Sequence, residues 1–75
     1  MAFDDILKQI MAEADLPETA REGIRWSLKS DTREKMMRLP VEVSAKALKE
    51  AIEKVEKNES LETIDALVKK ELDVF

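Results

Sequence analysis

The stretch REGIRWSLKSDTREKMMRLP, residues 21–40, holds six of the chain's thirteen basic residues, its one tryptophan and two of its four methionines. Arg21, Arg25 and Lys29 recur every four residues, a spacing that aligns side chains as one ridge along a helix. Arg33, Lys35 and Arg38 extend the positive charge beyond it. Residues 21–38 total +3, against −4 for residues 1–20 and −3 for residues 39–75. Guanidinium and ammonium groups in such a ridge can neutralise phosphates or meet an acidic patch on another protein. They can also pair with the acids of their own chain, on the first and fourth helical segments, and do nothing further. The net charge of −4 weighs against nucleic acid, because nucleic-acid modules usually carry a stronger basic bias.

Trp26 gives the ridge an aromatic neighbour. On a helix it lies about 160° round from Ile24, so one narrow apolar face cannot hold both. Tryptophan is highly buried on average. The expectation is therefore a buried indole, with the following short helix folding back and Met36 or Met37 covering the ring. If Trp26 is instead exposed, an aromatic between Arg25 and Lys29 has the composition of an interaction hot spot. Adjacent residues diverge by about 100°, so Met36 and Leu39 can fill the core while Met37 points elsewhere. A methionine on the surface would adapt to a partner's shape. The candidate partner-binding residues are thus Arg21, Arg25, Trp26, Lys29, Arg33 and Met37.

For catalysis the inventory is poor. The chain has no histidine and no cysteine, which removes the commonest general base, the thiolate nucleophile and the preferred zinc ligands. Ser27, Ser30, Ser44 and Ser60 have no histidine to activate them. The one glycine cannot build a phosphate-cradling loop. No catalytic residue, metal ligand or cofactor is expected.

The elements that would position the ridge read as five helical segments and no strand. Residues 4–14 place Ile6, Leu7, Ile10, Met11 and Ala14 on one face, with Asp4 and Asp5 in the first turn, where acids suit the helix dipole. Asp15 and Glu18 have capping-box spacing around Pro17 at the head of a second segment over 16–29. Asp31 and Glu34 offer a second box before a short third segment over 32–38. The residue before a proline avoids the helical region, so Leu39 should end that segment.

Residues 40–57 form the clearest helix. Val41, Ala45, Leu48, Ile52 and Val55 recur at spacings of four and three, and Val43 and Ala47 lie beside that stripe. Glu42–Lys46, Glu50–Lys54 and Glu53–Lys57 are i,i+4 pairs in the favourable order. Ser60 is the expected N-cap of a fifth segment over 61–72, with Leu61, Ile64, Leu67, Val68 and Leu72 inward.

These readings describe an all-α chain: a compact small helical bundle of four longer helices plus one short one, folded as a single domain over 1–75. The N-terminal stretch is acidic and lacks a secretory pattern, and no apolar run reaches the ~18 residues of a membrane span. A cytoplasmic monomer or weak homodimer follows. The function expected is that of a small, non-enzymatic protein-interaction or regulatory module. The alternatives are a nucleic-acid-binding domain using the same ridge, or a designed protein without function, since 40% charged residues also suit idealised helices.

Overall fold

A computed structural model describes residues 2–74. Five α-helices follow one another: α1 Phe3–Glu13, α2 Arg21–Ser27, α3 Ser30–Arg38, α4 Val41–Glu56 and α5 Ile64–Leu72, with a 3₁₀ turn, Glu18–Ala20, leading into α2. There is no strand among the described residues. The longest helix, α4, lies centrally and packs on α5 and on α1, while α3 packs on α5, α1 and α4. The chain has a Cα radius of gyration of 11.0 Å, about the value expected of a folded chain this long.

The apolar stripes read from the sequence meet in one core. Leu7, Ile10 and Met11 of α1, Ile24 of α2, Met36 of α3, Leu48 and Ala51 of α4, and Val68 and Leu72 of α5 are all buried in it. Along α4 the deepest positions are Ser44, Ala45, Ala47, Leu48 and Ala51, while Val41, Ile52 and Val55 are partly buried. The helix is gripped from two sides, so its buried face is wider than the expected stripe, and Ala47 belongs to it.

Both ends of the second segment differ from expectation. Asp15 does not begin a capping box; it ends α1, at a φ of 57°. Leu16 N–H donates to Met11 O at 3.0 Å and Asp15 N–H to Ala12 O at 3.2 Å, the paired bonds of a Schellman C-cap. α4 closes in the same way around Asn58, at φ 56°, with Glu59 N–H donating to Lys54 O at 2.9 Å and Asn58 N–H to Val55 O at 3.2 Å. The residues before α2 are thereby committed to a turn. α2 keeps seven residues and α3 gains nine, so the short helix of the bundle is the second and not the third.

Asp31 and Glu34 form no capping box either. α3 starts two residues earlier than expected, Asp31 lies inside its first turn, and its N-cap is Lys29, whose side chain offers no acceptor. Asp65 of α5 instead accepts from the N-cap residue's own backbone: Lys29 N–H donates to Asp65 Oδ1 at 2.7 Å. At the other end of α3, Leu39 leaves the helical region as expected, and buried Ser44 Oγ donates to Met36 O at 2.9 Å. α3 is thus tied down at both ends by other helices.

α5 starts three residues later than expected. Thr63, not Ser60, is its N-cap, accepting from Ala66 N–H at 3.2 Å. Ser60 Oγ instead accepts from Glu62 N–H at 3.1 Å, a local turn that stops the helix growing back. Leu61 is fully exposed in that turn, against its expected inward position. None of the three i,i+4 pairs expected on α4 closes among the described residues; Lys54 reaches across to Glu71 of α5 at 3.7 Å.

Candidate partner-binding face

Trp26 is exposed, with 74% of its surface accessible, against the expected burial. The reason lies in the junction that follows. Leu28 and Lys29 are extended, so α3 turns away from α2 and packs on α5, α1 and α4. Met36 is fully buried in the core and does not cover the indole. α2 has barely two turns, and its inward position is taken by Ile24. A residue about 160° away on so short a helix is left in solvent.

The ridge is largely spent on the chain's own acids. Arg21 pairs with Glu18 at 3.0 Å, and Arg25 Nε lies 2.9 Å from Asp4 Oδ1. The Arg25 guanidinium also covers the indole, 5.5 Å from the ring centroid of Trp26, so Asp4, Arg25 and Trp26 form one stack on the surface. Arg33 Nε donates to Leu28 O at 2.9 Å and the guanidinium lies 5.9 Å from the Phe3 ring centroid. Lys35 pairs with Asp73, and Arg38 approaches Glu34 at 3.9 Å. Lys29 is exposed and makes no ion pair among the described residues. Asp4 of α1, Glu18 of the 3₁₀ turn, Glu34 of α3 and Asp73 at the end of α5, rather than α4, supply the neutralising acids.

Of the six candidate residues, Arg25 and Trp26 are in direct contact, and Arg21 lies one turn before Arg25 on α2. Lys29 is not on that helix but at the cap of α3. Arg33 belongs to α3 as well, and Met37, 38% exposed, follows it by one turn. The single ridge read from the sequence is therefore two short groups separated by an extended joint.

The charged face carries one further ion pair. Asp31 Oδ2 and Lys69 Nζ are 2.7 Å apart. That hydrogen bond to Lys69, with the charge of its ammonium, holds the Asp31 carboxyl below the usual carboxylate range, and the same contact raises Lys69.

A second feature escaped the sequence reading. An open apolar groove of about 400 Å³ runs between α2, the end of α4 and the start of α5. Leu16, Pro17, Ala20, Gly23 and Ser27 line one wall, Ile52, Glu56 and Ile64 the other, with Ile24 beneath. A Cβ built at Gly23 would meet nothing within 4 Å, so the wall of α2 is low at that point. The signal in the sequence is the run of small residues at Ala20, Gly23 and Ser27, spaced three and four apart. It becomes meaningful only when Ile52 and Ile64 stand opposite.

No group of three or more acidic residues among the described residues converges to hold a metal ion. None of the described helices is long and apolar enough to cross a membrane. The chain matches no protein-family model, no curated protein and no solved structure at a significant level.

Proposed function

We propose that this chain is a small, non-enzymatic protein-interaction or regulatory module of the cytoplasm, a single domain that meets its partner as a monomer or weak dimer through α2 and α3. The observation that carries the reading is the exposed Trp26 held under Arg25. Leaving an indole in water costs the chain hydrophobic stabilisation it could otherwise have. Pinning it with a guanidinium that is itself fixed by Asp4 removes rotamer freedom before a partner arrives, which lowers the entropic cost of binding. Arg21 closes one end of this face, and Lys29, Arg33 and Met37 form the second group, on α3 beyond the extended joint.

The internal pairing of the ridge speaks for a protein over a nucleic acid. Phosphate binding gains its free energy by releasing counterions from phosphates neutralised by lysines and arginines, and guanidiniums already matched to Glu18 and Asp4 have less to offer.

The test is to replace Trp26 by a photo-crosslinking phenylalanine analogue, irradiate the protein in extract of its source cells, and identify the adduct. A defined protein adduct, whose isolated partner binds Trp26→Ala at least about tenfold more weakly, a loss of ~1.4 kcal/mol, is the expected result. A nucleic-acid adduct whose yield falls steeply as salt is raised before irradiation would overturn the reading.

A further inference from the structure

Resting on the protein-interaction reading, we infer that the groove between α2, α4 and the start of α5 receives a basic amphipathic helix. The groove is apolar along both walls, and its one charged lining residue is Glu56. Glu56 makes no ion pair among the described residues, and neither does Glu53, one turn before it on α4. The nearby cations do not answer them. Arg21 and Arg25 are taken by Glu18 and Asp4, and Lys49 lines a different cleft, between α1 and α4. Lys57 lies one turn after Glu53 without closing an ion pair on it, and diverges from Glu56 by about 100° round the helix. The C-terminus of α4 at Glu56 also presents the negative end of its dipole, whereas the start of α5 has Thr63 accepting from Ala66 N–H.

An apolar trough with unanswered negative charge along its rim calls for an occupant with an apolar stripe and cations beside it. A helix laid in a groove offers side chains at i, i+3, i+4 and i+7 in that arrangement. The low wall at Gly23 lets a helix backbone approach α2 closely. Trp26, about 60° round the helix from Gly23 but about 160° from Ile24 at the floor, stands outside the groove at the edge of this wall, where its indole can report a docked helix. A second copy of this chain is a poorer occupant, because it brings the same acids and a net charge of −4 to the same place.

The experiment uses two synthetic peptides of about 18 residues, long enough to hold a helix in water. One is an amphipathic helix of leucine and lysine, the other its leucine and glutamate counterpart. Each is titrated into the ¹⁵N-labelled protein at moderate salt. The expected result is that the lysine peptide alone shifts the amides of Gly23, Ser27, Ile52 and Glu56, and the Trp26 indole. Glu56→Lys should weaken it at least fivefold. Gly23→Leu should abolish the shifts by filling the groove, and a better helix former at an open helical site should leave the fold intact or firmer. Equal binding of the glutamate peptide, shifts confined to other faces, no shifts at all, or undiminished binding to Gly23→Leu would each overturn the proposal. So would groove shifts that follow protein concentration without peptide, which would put a second copy there. A protein adduct at position 26 with no peptide response in the groove would leave the interaction reading standing and remove this one alone.

Discussion

At the scale of single residues, Trp26 is both the most informative and the simplest to check. Only one indole is present, so its emission reports one environment. With 74% of it in solvent, the emission should be red-shifted and readily quenched by acrylamide; a blue-shifted, quencher-resistant band would contradict the exposed placement. Thr32 poses the opposite case. It is fully buried, and its Oγ1 has no hydrogen-bond partner. A buried hydroxyl without a partner costs roughly 1–3 kcal/mol, so Thr32→Val should stabilise the protein by about 1 kcal/mol, read as a higher urea midpoint at unchanged slope. A lower midpoint would mean that the hydroxyl is satisfied after all. The Asp31–Lys69 pair is the residue-level source of pH dependence. A lowered folded-state carboxyl favours folding above its unfolded titration range, and that contribution fades as pH falls through the folded titration. The raised Lys69 contributes below its unfolded range and loses that contribution as pH rises through its folded titration. In Lys69→Gln the carboxyl titration of Asp31, followed by NMR, should move up toward the ordinary carboxylate range.

At the scale of helices, the ends carry most of what is particular to this chain. α3 lacks a side-chain cap of its own and borrows Asp65 from α5, across 36 residues of sequence. The carboxylate does what the N3 acid of a capping box would do, reaching the N-cap N–H, but from another helix. Asp65→Ala should therefore cost about 1–2 kcal/mol and speed hydrogen exchange at the Lys29 amide, whereas Asp65→Asn, which keeps an acceptor oxygen, should retain most of that protection. Equal exchange in Asp65→Ala and the unmodified protein would remove the cap from the account. The same junction sends α3 away from α2, so the bond that orders α3 also leaves Trp26 uncovered.

At the scale of the molecule, α4 is the axis on which stability depends. Leu48 is fully buried within the core that α1, α4 and α5 share. Leu48→Ala should cost about 2–5 kcal/mol, while a core of this size supplies roughly 3–5 kcal/mol in total. The variant should be largely unfolded near physiological temperature by circular dichroism; a cooperative transition as steep and as late as that of the unmodified protein would show that the core is not centred there. Ions contribute far less, since the seven side-chain pairs formed among the described residues are exposed or partly exposed and such pairs are worth ~0–1 kcal/mol each.

Periodicity and composition alone determined that the chain is helical, that Leu7, Ile10 and Met11 of α1 and Leu67, Val68 and Leu72 of α5 turn inward, and that α4 is the longest element. Those properties follow from local geometry: a 3.6-residue repeat puts Leu7, Ile10 and Met11, or Leu67, Val68 and Leu72, on one face whatever they pack against. Helix ends were less legible. Asp15 and Ser60 are good N-cap residues by type, yet a Schellman turn claimed the first and a local hydroxyl turn the second, and which of several local hydrogen bonds forms depends on where the neighbouring helices hold the chain. The six candidate binding residues were visible as types, but whether they form one surface was not. Only the tertiary structure decided that Trp26 is exposed, that Arg25 is matched to Asp4, and that Ala20, Gly23 and Ser27 face Ile52 and Ile64 across an open groove. The exposure of Trp26 depends on the direction α3 takes after Leu28, where a carboxylate 36 residues away holds the junction, and the groove depends on how α2 lies against α4 and α5; no local pattern encodes contacts at such distances.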